Sequence, residues 1–512
     1  MKYQIPKNEK LLEKVKQLSV EQLLKIVVCP NYRNENERIY DTYCAFVHPT
    51  TIENAKKVIT KIKKVNHPVL VASDMEAGPG TAIVGATEFP SIRAICETEE
   101  ERLAYETGKI AAIESREALY DWTFGPCVDI LKNHFSPITS IRSASEDYKE
   151  VIKYTKQYIL GLHDNGLIAT AKHFPGDGAC LFDHHLTTSI NPLSKEEWDN
   201  SYKKVYEEII NSNIKSIMIG HIALPCYDEK DEETNLYPPA TLSYRLMTKL
   251  LKDELGFEGL IISDATEMSG FCGYINYYEA CARFLMSGGD CLLFAHPDEE
   301  FIMKMSELID KGILKLDILV NRAYRVISFA NDCYNISTDI KFDIEEHQKI
   351  AREVVEKSVK VYRDRKNILP LSKKYLKIAH IVIAKQIKTD IIGEFTNELA
   401  KYAEVTEFID PGCSAIKNLA KSKAYDAIIC TIGCSQWYGT NQITLSGTVA
   451  RNMMNGWMKY ETPTIFVDFG NPYIHEEYDA MIDTLIYTYG YAKDSCRVVA
   501  KKIFGVSEKQ YE

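Results

Sequence analysis

Short runs of β-branched and apolar residues recur along the chain with longer amphipathic segments between them. That alternation admits few folds, because it calls for parallel strands joined by crossover helices. Eight such runs precede residue 300, at 24–29, 43–47, 69–72, 122–128, 168–171, 216–219, 260–263 and 291–294. Segments 147–164 and 194–211 have the length and period of return helices. Eight strands in about 335 residues predict a (β/α)8 TIM barrel with an N-terminal cap. After the polar stretch 335–346, a helix over 345–360 opens a second series, with runs at 378–384, 405–409, 427–432, 464–469 and 484–489. This is the order of an open, doubly wound sheet. The sequence therefore predicts an α/β protein, with a TIM-barrel catalytic domain over 1–340 and an α/β/α sandwich over 341–512.

Charge and composition remove several function classes. Lys and Arg number 61 against 72 Asp and Glu, a net charge of -11, with no basic cluster to track a phosphate backbone, so nucleic acid is not an expected partner. No window approaches the run of about 18 apolar residues that spans a bilayer, and the N-terminal MKYQIPKNEKLLEK is too polar for a signal peptide. The expectation is a cytoplasmic protein without a membrane partner. The 14 cysteines sit at irregular spacings, many inside apolar runs, and read as reduced core thiols. No GxGxxG follows the run 378–384, and no cofactor is expected.

Polar residues gather where the runs end, which in a parallel barrel is the mouth that holds the active site. The third run leads into Ser73-Asp74-Met75-Glu76, the fifth into Lys172-His173-Phe174-Pro175-Gly176, the sixth into Gly220-His221 and the seventh into Asp264. The loop KHFPGDGACLFDHHLTTS, from Lys172 to Ser189, is the most unusual segment. Its Gly176 and Gly178 permit backbone angles closed to other residues, so the loop is expected to bend over the mouth and to move. It brings Asp183, His184 and His185 there. An Asp two residues before a His can hold one ring nitrogen, leaving the other to exchange a proton near neutral pH. Asp264, at the end of an apolar strand, is held rigidly where a nucleophile is wanted.

With these residues in view, the sequence resembles glycoside hydrolase family 3, most closely its β-N-acetylhexosaminidase branch. That branch's loop reads roughly KHFPGHG, four residues, then D-S-H; here it is KHFPGDG, four residues, then Asp183-His184-His185. Further matches are PATLSYRLMTKLLKDELGFEGLIISDATEM, TFGPCVDI from Thr123, IRSASED with Arg142, and SVKVYRDRKNILPL at the start of the second domain. The resemblance implies a retaining exo-β-N-acetylglucosaminidase without a metal. In it Asp264 is the nucleophile, His185 the acid/base partnered by Asp183, and Asp74, Arg142, Lys172 and His173 bind the sugar. His221 is a further candidate for that pocket. The implied substrate is a small oligosaccharide or glycoconjugate, such as a recycled cell-wall muropeptide or a chitin fragment. Phosphate in place of water as acceptor, or another sugar, stays open.

Three departures accompany the match. The strand-three motif, usually D-Q-E-G-G-R-V, is Asp74-Met75-Glu76-Ala77-Gly78-Pro79-Gly80; Asp177 replaces the second His of KHFPGHG; and Ala265-Thr266 follow the nucleophile position. Competing readings stand beside the functional ones. Asp264 could cap a helix, the Asp183-His184-His185 cluster could bind a metal, Lys172 with His173 could be a structural pair, and His221 is either a satisfied core histidine or a ligand. A non-catalytic carbohydrate-binding relative is the reading from another class.

Overall fold

A computed structural model describes residues 2–334, 342–371, 376–385, 389–434, 439 and 443–506. Eight parallel strands form the first sheet system: β1 (Val28–Cys29, resumed at Asn31–Tyr32), β2 (Cys44–Val47), β3 (Leu70–Ser73), β4 (Trp122–Thr123), β5 (Ile168–Phe174), β6 (Ser216–Ile219), β7 (Leu260–Ser263) and β8 (Leu292–Leu293). Each pairs with its neighbour in order from β1 to β7. The ring closes where Val28 and Cys29 pair with Leu292 and Leu293, and where Ile262 bridges to Cys291. This is the expected TIM barrel. Strands β2, β3, β5, β6 and β7 are buried at every residue, which is why they read as unbroken apolar runs and not as alternating ones.

Two runs end differently from the expectation. The first half of the run 24–29 is helix: Ser19 and Gln22 form a capping box, and the helix Val20–Ile26 buries Leu23, Leu24 and Ile26 before β1 begins. Local capping overrides the apolar pattern there. In the run 122–128 the ladder stops after Thr123, since Pro126 has no N–H to give, and resumes with a bridge from Cys127 to Lys172. The segment 194–211 is two helices, Lys195–Asp199 and Tyr202–Asn211.

Two long helices set the mouth. Helix α1 (Glu101–Glu117) and helix α2 (Tyr148–Asp164) touch at Gly108 and Gly161, where any Cβ would lie 2.2 Å from a carbonyl oxygen of the other helix. That approach seats Tyr158 so that its hydroxyl donates to the Met75 carbonyl at 2.8 Å and accepts from the Gly78 N–H at 3.0 Å. The loop after β3 is thereby fixed from beneath.

The chain divides into two compact units, one of Met1–Glu88 with Glu101–Gln348 and one of Phe89–Glu100 with Lys349–Glu512. The excursion 89–100 is part of the second unit, where Ser91 Oγ donates to the Tyr489 carbonyl and Lys360 pairs with Glu97 at 3.0 Å. A single boundary near residue 340 does not anticipate it, because nothing in the composition of 89–100 marks a change of partner. The second unit holds β9 (Lys360–Asp364), β10 (Lys377–Lys385), β11 (Glu404–Ile409), β12 (Ala427–Cys434), β13 (Thr464–Asp468) and β14 (Thr484–Tyr487). Their order is β9-β14-β13-β12-β10-β11, all parallel except β9 against β14. Apolar clusters cover both faces, one around Ile381, Ile428, Trp457 and Phe466 and one around Ile378, Phe395, Ile429 and Val499. The five expected runs are all strands. β9, Lys-Val-Tyr-Arg-Asp, is an edge strand too polar to be read as one.

Candidate active site

Asp264 follows β7 directly. Its N–H donates to the Ile219 carbonyl of β6 at 2.9 Å, and its Oδ1 accepts from the Ala265 N–H at 2.8 Å, so the carboxylate is oriented by backbone on both sides. Burial opposes its charge, but the surrounding imidazoles, His184 foremost, favour the carboxylate electrostatically and hold Asp264 well below the usual carboxylate range. Its side chain keeps 13% exposure, enough for one face to meet a substrate.

The loop from Lys172 to Ser189 carries the partner groups. Asp183 is fully buried, and its Oδ1 accepts both the His185 backbone N–H at 2.9 Å and the His185 Nδ1–H at 2.7 Å. That pair of bonds orients the imidazole of His185, whose side chain is 30% exposed. The loop is tied down, contrary to the expectation of a hinge. Gly178 carbonyl accepts from Lys132 and Asn133 N–H, Asn191 Nδ2 donates to Gly176 O, Trp198 Nε1 to Pro175 O, and Ser269 N–H to His185 O. A Cβ on Gly178 would lie 1.9 Å from the Ile130 carbonyl, so this glycine serves close packing, not motion.

A second cluster lies on β3, β5 and the turn holding Arg142. Arg142 clamps Glu76 in a two-pronged bond, Nε to Oε2 at 2.8 Å and Nη2 to Oε1 at 2.7 Å. Lys172 reaches Glu76 Oε1 at 2.6 Å and Asp74 Oδ1 at 3.0 Å. Burial works against the Glu76 charge, yet the two cations hold its carboxyl well below the ordinary range. Lys172 is likewise held in the ammonium form by Asp74 and Glu76 despite its burial. Asp74 remains partly exposed, with 42% of its side chain open. His173 Nδ1 bonds Asp129 Oδ2 at 2.7 Å, while Nε2 stands 3.4 Å from Arg142.

The structure thus brings Asp264, His184 and His173 together, ties His185 to Asp183, and joins Asp74, Lys172 and Arg142. His221 departs from the ligand expectation. It is fully buried, with Nδ1 on Thr241 Oγ1 and Nε2 on the Ala265 carbonyl, each at 3.0 Å, and burial pushes its imidazolium down to about 4. Both nitrogens are occupied, so His221 braces the residue after Asp264 and has nothing to offer a sugar. Two residues of the site received no role from sequence reasoning. Glu76 stands two places past Asp74 in the same strand end, and Asp129 is a lone acid within the apolar stretch Phe124–Ile130. A carboxylate at or just past the end of an apolar run was the available signal for each.

Among the described residues two groups bring three metal-type ligands within 4.8 Å, Cys127 with Asp129 and His173, and His173 with His184 and Asp264. Neither suits a cation. His173 is committed to Asp129 on one nitrogen and faces a guanidinium on the other, and burial pushes the Cys127 thiol well above its ordinary value, away from the thiolate a metal needs. In the Asp183-His184-His185 cluster, Asp183 Oδ1 is already spent on His185.

Comparison with known proteins gives a consistent result. The description "Glycosyl hydrolase family 3 N terminal domain" matches residues 13–329. A β-N-acetylglucosaminidase/β-glucosidase of Cellulomonas fimi is 28% identical over 477 residues, covering 86% of this chain and 82% of that protein. A β-hexosaminidase of Haemophilus influenzae is 30% identical over 263 residues, 50% of this chain and 72% of that protein. Among solved structures, a β-glucoside phosphorylase superposes with a TM-score of 0.88 at 24% identity, over 99% of this chain and 96% of its own. A family 3 β-N-acetylglucosaminidase from Paenibacillus sp. superposes with a TM-score of 0.79 at 19% identity, over 95% and 97%. Both likenesses carry the two-domain fold.

Proposed function

The chain belongs to glycosyl hydrolase family 3, and from that premise we propose that it is a retaining exo-β-N-acetylglucosaminidase working through a glycosyl ester on Asp264. The observation that carries the reading is the pairing of an ionised, backbone-oriented Asp264 with a carboxylate-held imidazole, His185 on Asp183 at 2.7 Å. Asp264 attacks the anomeric carbon while His185 Nε2 gives its proton to the leaving oxygen; the same nitrogen, now a base, takes a proton from the incoming water. A neutral imidazole in this role places no second negative charge beside the nucleophile. Asp74, Lys172, Arg142 and His173 line the sugar side, with Glu76 and Asp129 orienting them. The substrates are small β-N-acetylglucosaminides, such as cell-wall muropeptide or chitin fragments met in the cytoplasm. β-Hexosaminidase relatives support the N-acetyl specificity, and the Cellulomonas relative supports activity on β-glucosides as well.

One second reading has a specific basis. Deprotonated His185 is uncharged, so phosphate can approach the ester without repulsion from a carboxylate in the acid/base position, and a structural neighbour is a β-glucoside phosphorylase. Assay of 4-nitrophenyl β-GlcNAc and β-Glc, with and without phosphate, tests both readings. Release of GlcNAc with retained configuration supports the hydrolase. A sugar 1-phosphate product, with turnover that rises with phosphate, replaces it with the phosphorylase. No release from either glycoside rejects both.

A further inference from the structure

Asp177, one of the departures named above, meets a second difference from the quoted loop motif in space. Asp177 stands where the loop motif has His, and His184 where it has Ser; their side chains approach with Nε2 of His184 3.8 Å from Oδ2 of Asp177. The same Nε2 is 3.8 Å from Oδ2 of Asp264. Both residues are completely buried. Beyond the Cys180 thiol beside Asp177, neither Asp177 oxygen has a hydrogen-bond partner, and neither His184 nitrogen has one. Buried polar groups are nearly always paired, and the neighbouring His185, His173 and His221 each have ring nitrogens committed to Asp183, Asp129 and Thr241. An imidazole set midway between two carboxylates, with no fixed partner, is a different kind of object.

We propose that Asp177 and His184 hold one exchangeable proton between them and that His184 is a positioning residue acting through Asp264, returning charge support to it as the glycosyl ester is cleaved. The inference rests on the covalent reading above. Burial, with Asp129 and Asp183 nearby, pushes the Asp177 carboxyl up against the pull of Arg142; burial, with His185, His173 and His221 nearby, pushes the His184 imidazolium down against the pull of Asp264. The surroundings thus favour the proton on Asp177, and the Asp264 charge is what draws it toward His184, 3.8 Å from both carboxylates. While Asp264 is esterified it is uncharged, and the proton rests on Asp177. When the bond from the anomeric carbon to Asp264 breaks, the bonding electrons return to the carboxylate and the proton passes from Asp177 Oδ2 to His184 Nε2, which faces the new anion. Net protonation of the pair is unchanged, so no outside donor is needed.

The test traps the enzyme with a 2-deoxy-2-fluoro or 5-fluoro glycoside and follows reactivation of the ester in the full-length wild type, Asp177→Asn, His184→Asn and the double variant, with melting curves alongside. Asparagine fits the space but cannot pass the proton. Each single change is expected to slow reactivation by roughly tenfold, one pK unit of lost support for the carboxylate, with ester formation less affected and KM lowered as the ester accumulates. The double variant should be no slower than the worse single one. Reactivation within about twofold of wild type, or single effects that multiply in the double variant, overturns the inference alone. Failure of the wild type to form an ester on Asp264 overturns the covalent reading instead. Should His184→Asn not fold, Asp177→Asn decides: unchanged reactivation across the pH range rejects the proton pair, and a slowed, pH-flattened reactivation sustains it.

Discussion

His184 and His185 are consecutive residues with opposite surroundings. His185 is held by Asp183 through two hydrogen bonds and reaches solvent, whereas His184 lies buried between Asp177 and Asp264 with neither nitrogen bonded. The first arrangement fixes the ring's orientation on a carboxylate and leaves its edge partly open, as proton exchange with a substrate requires. The second leaves charge unsettled next to the proposed nucleophile. Identical side chains one peptide apart thus acquire different chemistry from their carboxylate partners and their burial, and residue type is a poor guide to role without both.

The comparison breaks most severely if Asp264 is not the group both histidines serve. Asp264→Ala should lower kcat/KM on any glycoside by about 10⁴-fold or more, the scale at which a covalent nucleophile acts. Steady-state kinetics with an aryl glycoside check it, and residual activity within tenfold would move the nucleophile elsewhere. His185→Ala comes next, with a loss of roughly 10²- to 10⁴-fold on unactivated disaccharides. Aryl glycosides with acidic leaving groups should keep their first step, and azide should speed the second by attacking the ester without a base. Equal loss on both substrate classes, with no azide effect, would make the His185 loop structural.

Asp183→Asn sharpens the contrast by weakening the partner and not the imidazole. Loss of about tenfold is expected, the cost of one hydrogen bond to the acid/base imidazole. The loss should be larger on unactivated disaccharides than on aryl glycosides with acidic leaving groups, because only the former need the proton His185 gives. Equal losses on the two substrate classes would show that Asp183 only shapes the loop.

Much of this architecture is legible in the sequence because parallel strands buried on both faces read as apolar runs, and because polar residues at their ends fall at one mouth. Ser216–Ile219 and Leu260–Ser263 match the structure to the residue. What stays hidden depends on partners far apart in the chain. Glu76 is clamped by Arg142 and Lys172 from two other elements, and Asp129 meets His173 across 44 positions. The excursion 89–100 carries no local signal, since its partners Lys360 and Tyr489 lie hundreds of residues away. The loop glycines illustrate the opposite error. Their conformational freedom suggested motion, but Gly178 is small because the Ile130 carbonyl occupies the space a side chain would need.

The smallest effect on rate is expected at His221, a third buried imidazole, whose nitrogens are both satisfied. Unlike His184 it has a partner on each nitrogen, and burial is the largest influence on its charge. Burial lowers its pKa from the usual value near 6.5 to about 4, so the folded state resists its protonation while the unfolded chain accepts it. The stability gained by keeping the ring neutral is full above about pH 6.5 and is lost progressively as the pH falls toward 4, a total of roughly 3 kcal/mol. His221→Gln removes the titrating group but keeps an amide able to bond the Ala265 carbonyl. Urea unfolding of wild type and variant at pH 7, 5.5 and 4 should show the variant's stability falling less steeply on acidification, by about 2–3 kcal/mol over that range. Its kcat at pH 7 should stay within about threefold of wild type, since a lost neutral hydrogen bond behind the nucleophile is worth well under 1 kcal/mol when the replacement restores it. Parallel acid slopes for the two proteins would mean that His221 is protonated in the fold, and a much larger fall in kcat would place it with His184 among the groups that act through Asp264.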